Sequence, residues 1–468
     1  MAGWFARLMG RAAPAPAPGP APPAAPSPAA WARSALATAA ATSAVAAAPL
    51  PAPSFGLRRP LVGSKGSIAG FELLLPSALE QRLAQRADAS AGQALAANQA
   101  LLLAAAAPLC KSGRLVLVTL GASALARPGV AQQASSGALI CVPDLALLPA
   151  EAATGLRARG VRLGVPDGPP AAAPAADFVL LQAVAGGLDT LLLSAQAWRE
   201  QRAPLPLLAN GLLHLDDVER VLRAGFTLVG GTLDRRGNAP AARPLSAAAH
   251  RLCELMNHLT LNHDTHIVAD AVRADVALTY RLLRYANSPV LGLRRTVDSV
   301  DAAVMLLGRQ ELQRWLNVLL LSVADSRQAS RAVQEMALAR GRLLEGLAGL
   351  RSHPAPQTLF TMGLMSLLEV LLQLPLADAL APLRLPQPVL QALLQRQGSL
   401  AEYLLLAEAL DAGDSARIEA QALAFGGVEA VQELADQAWA WATEVAASSA
   451  LDRAGAGGTA AVAGSSSH

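Results

Sequence analysis

The feature that most constrains this chain is a change of hydrophobic pattern near residue 240. From Arg59 to about Leu233, short apolar runs alternate with helical stretches. The runs are RPLV and SIAGFELLL on either side of Gly63-Ser64-Lys65-Gly66, then RLVLVTL, ALICV, VRLGV, DFVLL, PLLA and FTLVG. Helical candidates at Ala91–Ala107 and Asp216–Ala224 sit between them. Repeated β/α alternation predicts parallel strands with crossover helices, closed into a barrel or wound as an open sheet. After residue 245 the strand signals stop and helical periodicity continues to about Ser448, which predicts an all-α domain. A chain of 468 residues has room for two or three such units.

The two ends read differently. Residues 12–53 hold 20 Ala and 11 Pro, a composition that favours extended, solvated backbone over a packed core. Residues 1–54 are therefore expected to be a disordered leader, 55–240 the barrel domain, 245–450 the helical domain and 451–468 a disordered tail. Trp4, Phe5, Leu8 and Met9 around Arg7 and Arg11 form either a short docking helix or a frayed terminus.

Composition excludes several classes. Formal charge is only +3, and 38 basic residues, of which Lys65 and Lys111 are the lysines, are scattered along the chain. A nucleic-acid partner is not expected, because a dedicated binder gathers its charge on one face. Cys110, Cys141 and Cys253 are odd in number and lack C-x-x-C spacing. Neither a disulfide framework nor a zinc site is indicated, and a cytoplasmic location is expected. The leucine-rich runs are interrupted before about 18–20 apolar residues, so no membrane span is predicted.

The order of the strand motifs, opening with R-R-P-L-V and G-F-E-L-L-L at 70–75, resembles an EAL domain over residues 55–235. That family is a TIM-like barrel that hydrolyses cyclic di-GMP with divalent metals held at the C-terminal ends of its strands. The resemblance aligns Glu72 with the glutamate of the E-A-L motif and Asp167 with the second aspartate of the D-D-F-G segment. The other matched positions are changed: Arg59 stands for a glutamine, Thr119 for an asparagine, Cys141 for a glutamate and Pro166 for the first aspartate. Leu180 stands for the lysine, Gln182 for its neighbouring aspartate, Leu213 for a glutamate and Gly230 for a glutamine. Two carboxylates cannot supply the six or more oxygens each hard cation wants, so the resemblance implies a degenerate phosphodiesterase with no catalytic residue, metal or cofactor.

From Leu252 to about Asp411 the chain is similar to the HDOD domain, a helical relative of the metal-dependent HD phosphohydrolases. The similarity rests on Tyr280-Arg281-Leu282-Leu283-Arg284-Tyr285-Ala286-Asn287-Ser288, on Asp298-Ser299-Val300, on Leu306-Leu307-Gly308 and on Arg314-Trp315-Leu316. Val276, Tyr280 and Leu283 read as one helical face ended by Asn287. The next helix opens at Asp298 or Ser299 and stops at Gly308, followed by a core stripe of Leu312, Trp315, Leu316, Leu319, Leu320 and Val323. Where an HD enzyme carries its histidine and aspartate, Gly363-Leu364-Met365-Ser366-Leu367 places Ser366 and Leu367. His258, His263 with Asp264, and His266 read as surface loop residues.

Both likenesses occur in the order found in bacterial signalling proteins that join the two domains. They imply a non-catalytic regulatory scaffold, acting through protein contacts in a cyclic di-GMP-linked pathway such as motility or biofilm control. The alternative is a receptor that binds cyclic di-GMP in the barrel mouth without cleaving it. Candidate partner-binding residues are Arg281, Arg284, Asn287, Arg294, Arg295 and Trp315, and the protein could be a homodimer.

Overall fold

The computed structural model describes residues 57–75, 89–168, 176–183, 187–201, 205–234, 245–287, 297–323 and 329–462. The leader, Arg294, Arg295 and the end of the tail from residue 463 lie outside the described residues. By internal contacts the described residues divide into two compact units, one holding 57–234 together with 408–429, the other 245–407 and 430–462. The single helical block expected over 245–450 is thus interrupted.

The first unit is a closed barrel of eight strands in chain order: β1 (Leu57–Gly63), β2 (Ile68–Leu74), β3 (Leu115–Thr119), β4 (Ala138–Cys141), β5 (Arg162–Pro166), β6 (Phe178–Gln182), β7 (Leu207–His214) and β8 (Leu228–Asp234). Strands β2 to β8 pair in parallel, but β1 is antiparallel to both neighbours, with Arg59 opposite Glu72 and Leu61 opposite Gly230. The four-residue turn between β1 and β2 explains the reversal, since a parallel pair needs a crossover of about a dozen residues. The Gly63 amide donates to the Ser67 carbonyl at 3.0 Å and closes that turn.

Helices alternate with most strands. Ala89–Lys111 precedes β3, Ala150–Ala158 precedes β5, Gly187–Gln201 precedes β7 and Leu215–Arg223 precedes β8. Between β5 and β6 the described residues hold no helix. An apolar core cluster within the barrel is formed by Leu61, Leu117, Leu139, Cys141, Phe178, Leu180, Leu208 and Leu228. A second layer outside the strands buries Leu102, Leu103 and Ala106 of the Ala89–Lys111 helix against Val116, Val118 and Ile140. Part of that helix, Gly92–Lys111, is long and apolar enough to cross a membrane by length and composition, a segment that uninterrupted leucine runs alone do not flag.

The second unit is helical: Ala247–Thr260, Thr265–Arg273, Val276–Ala286, Val300–Val323, Ser330–Leu350, Pro356–Met365 and further short helices. The sequence marks the helix starts. Ser246 caps the first by accepting from the Ala249 amide, Asp275 caps the third by accepting from Ala277 and Leu278, and Ser299 Oγ accepts from Ala302. The Val300–Val323 stretch is broken at Gly308, whose φ of 67° and ψ of 174° are not helical. Leu312, Trp315, Leu316, Leu319 and Leu320 are buried as the stripe predicts. The closing helix runs Val428–Val462, past the start of the tail expected from 451.

Candidate functional site

The barrel mouth, at the C-terminal ends of the parallel strands, is where this fold presents chemistry. Glu72 on β2 points inward and is buried. Its Oε1 accepts from Asn210 Nδ2 on β7 at 2.6 Å, and Asn210 Oδ1 in turn accepts from the Gly211 amide at 2.7 Å. Burial pushes the Glu72 carboxyl above its ordinary range, with the Asn210 hydrogen bond and the Arg59 charge opposing the shift. Asn210 is the functional-looking residue that no motif spacing reveals: it meets Glu72 across 138 residues of chain and only barrel closure brings them together.

The remaining aligned positions are apolar, small or dispersed. Cys141 is buried in the barrel's apolar cluster, and its thiol is pushed up to about 12, chiefly by burial and further by the Glu72 charge, against a hydrogen bond with Thr119. Leu180 belongs to the barrel interior, whereas Leu213 is exposed. Asp167 is exposed and does not join Glu72. It accepts from Trp198 Nε1 at 3.3 Å and, with Gly168, Ser194, Ala197 and Trp198, lines an open hollow of about 370 Å³. Among the described residues no three His, Cys, Asp or Glu side chains gather in a metal-binding group. One buried carboxylate held by an amide and facing an arginine does not fit a pair of hard cations.

Arg59 sits beside Glu72 across the β1–β2 ladder. Its Nη2 donates to the carbonyl of Ala412 at 3.1 Å. Ala412 lies within 408–429, the interval that packs with the barrel.

In the helical unit the position of the HD metal ligands is taken over by packing. Ser366 Oγ accepts from Arg340 Nη1 at 2.8 Å and donates to the Gly363 carbonyl at 2.7 Å, while Leu367 is buried in the core. His258 and His266 are helical rather than in a loop, and only His263 lies in the turn between their helices. The His258 and His263 Nδ1 atoms are 2.8 Å apart, and Arg309 donates to the Leu259 and His263 carbonyls at 3.0 and 2.7 Å, holding that turn. Beside it lies a cavity of about 230 Å³ lined by Thr260, Gln313, Arg314, Asn317 and Thr361 among others. Arg314 there binds both Glu345 oxygens at 2.8 and 3.0 Å and lies 4.1 Å over the Phe360 ring.

Among the described residues, the candidate partner positions do not form one surface. Trp315 is 0% exposed and stacks on Tyr285 at 6.5 Å, so it is a core residue and the reading of it as partner-binding is corrected. Asn287 is exposed but structural. It donates to the Leu283 carbonyl at 2.9 Å and exchanges two hydrogen bonds of 2.6 Å with the Val297 backbone. The helix ends at Asn287 with φ −89°, outside the left-handed region. Arg281 and Arg284 are half-buried. The face read as core is also reversed: Val276 is 82% and Tyr280 60% exposed, while Leu278, Leu282 and Tyr285 point inward.

Residues 244–383 match the HDOD domain. Over 203 residues the chain is 28% identical to the protein YuxH of Bacillus subtilis (strain 168), covering 42% of this chain and 49% of YuxH. Over 275 residues it is 23% identical to the cyclic di-GMP phosphodiesterase CdgJ of Vibrio cholerae, covering 58% of this chain and 63% of CdgJ. Each match spans less than two thirds of the curated relative's length. Among solved structures, the chain is similar to the Klebsiella pneumoniae BlrP1 complex with calcium and cyclic di-GMP, at TM-score 0.33 and 16% identity over 41% of this chain and 58% of that one. An EAL domain protein from Listeria monocytogenes gives TM-score 0.29 and 13% identity over 38% and 85%. The architecture read from the sequence, a barrel followed by an HDOD-bearing helical region, is the one present.

Proposed function

We propose that this protein is a non-hydrolysing signalling module that works through protein contacts in a cyclic di-GMP-linked pathway. The observation that carries it is the chemistry of the barrel mouth. Glu72 is buried against Asn210 and Arg59, among the described residues no group of three His, Cys, Asp or Glu side chains gathers around it, and Arg59 is engaged by the chain's own Ala412. The cyclic di-GMP phosphodiesterase CdgJ among the relatives supports the pathway, not the activity. The changed HD position, where Ser366 binds Arg340, supports the same reading for the helical unit.

The outward face of the Val276–Ala286 helix, with exposed Val276 and Tyr280 next to Arg281, offers the apolar centre and polar rim that a protein partner uses. Two measurements test the reading. Full-length protein incubated with cyclic di-GMP and magnesium or manganese is expected to leave the dinucleotide intact, and appearance of the linear product overturns the proposal. Affinity capture with the full chain is expected to retrieve a signalling protein, with retrieval reduced about tenfold or more by Tyr280→Glu. An unchanged yield moves the contact elsewhere.

A further inference from the structure

Residues 408–429 leave the helical part of the chain, cluster with the barrel, and return to the helical part. The interval holds the last turn of the Ala401–Ala412 helix, Gly413, the Ser415–Ala422 helix and the Leu423–Phe425 turn. Asp414 caps the second helix by accepting from the Arg417 amide at 3.1 Å, so this is built structure. Its apolar side, Ala409, Leu410, Ile418 and Val428, packs with Leu74 at the C-terminal end of β2. The Ala412 carbonyl takes Nη2 of Arg59 at 3.1 Å. Gly413 follows at φ +69°, and a Cβ there would stand 2.9 Å from that same Nη2. The backbone thus passes Arg59 as closely as a residue without a side chain allows.

What lies under this crossing is polar and incompletely bonded. Arg59 Nε and Glu72 Oε2 are buried with no hydrogen-bond partner among the described residues. Such groups disfavour the closed arrangement and gain partners when water or a ligand reaches them. A guanidinium that now donates to a peptide oxygen donates more strongly to an anionic one, and a phosphate oxygen suits its planar donor set. The neighbouring Glu72 carboxyl selects against a doubly charged phosphomonoester and leaves a singly charged phosphodiester as the compatible anion.

We propose that residues 408–429 form an intrachain strap that closes the barrel mouth over Arg59, and that its release uncovers a receptor site for a phosphodiester. The proposal builds on the non-hydrolysing reading of the barrel, and turnover is scored separately so that each can fail alone. Because both ends of the strap run into the helical unit's chain, an event in that unit has a covalent route to the mouth.

The test uses full-length protein, hydrogen exchange read by mass spectrometry, and cyclic di-GMP as the phosphodiester probe. Gly413→Val crowds Arg59, and Ile418→Ser weakens the apolar seat and serves where the first variant does not fold. Amides of 415–422 are expected to exchange at least tenfold faster in either variant than in the wild type, with the β-strands unchanged. Probe affinity is expected to rise at least tenfold with opening and to fall back when Arg59→Ala is added. Fast exchange at 415–422 in the wild type, variants that exchange like the wild type, or opening without a gain in affinity each overturn the proposal.

Discussion

Glu72 is a buried carboxyl whose environment works against its charge. Its ordinary value is 4.5 and the fold raises it. Below that value both folded and unfolded chains hold the proton. As pH rises the unfolded chain releases it first, so stability falls from about pH 4.5 until the folded group also ionises, and the whole penalty is present above that point. Glu72→Gln removes the penalty while keeping an oxygen for Asn210. We expect it to stabilise the protein by about 1 kcal/mol at pH 8 and to flatten the pH dependence, measured by denaturant unfolding at pH 4, 6 and 8. Arg314 presents the opposite case. Its pair with Glu345 is mostly withdrawn from water, at 11% and 13% exposure, and Arg342 also reaches Glu345 at 2.7 Å. Glu345→Ala strands Arg314 over Phe360 and is expected to destabilise by about 3 kcal/mol, the range for removing one member of a buried pair. Glu72 itself was legible in the sequence because it sits in a strand motif. Asn210 was not, because hydrogen bonds formed by barrel closure leave no spacing along the chain.

At the scale of elements, most of the fold follows from periodicity and punctuation. The apolar runs expected as strands are β1 to β8, and Ala91–Ala107 and Asp216–Ala224 fall within or beside the Ala89–Lys111 and Leu215–Arg223 helices. The stop at Gly308 is real and rests on backbone geometry that a residue with a Cβ resists. Gly308→Ala is expected to cost about 1–3 kcal/mol, read as a shift in thermal midpoint without change in the barrel's signal. Periodicity was a weaker guide to direction. In Val276–Ala286 two apolar stripes compete, and the hydrophobic spacing that fits Val276 and Tyr280 fits Leu278, Leu282 and Tyr285 equally well. Packing against the neighbouring helices decides for the second, and that choice depends on residues distant in sequence. Helical spacing sets Trp315 in the core stripe, while the family resemblance also makes it a candidate partner residue. Its complete burial shows that the first reading applies.

At the scale of the molecule, two compact units carry separate cores, one of barrel leucines and phenylalanines and one around Trp315, Leu316 and Phe360. Heating is therefore expected to show two calorimetric transitions, or one whose calorimetric enthalpy exceeds the van't Hoff value. A single two-state transition would mean that the units melt as one. The two buried cysteines give a means of following each unit apart. Cys141 lies inside the barrel with its thiol pushed up to about 12, and Cys253 lies in the helical core with its thiol at about 11. Both are thus almost entirely protonated at neutral pH and sheltered from reagents. Alkylation of Cys141 would then be a clock for breathing of the barrel and alkylation of Cys253 a clock for the helices, so the native chain already carries two independent chemical stopwatches without a dye or an added label.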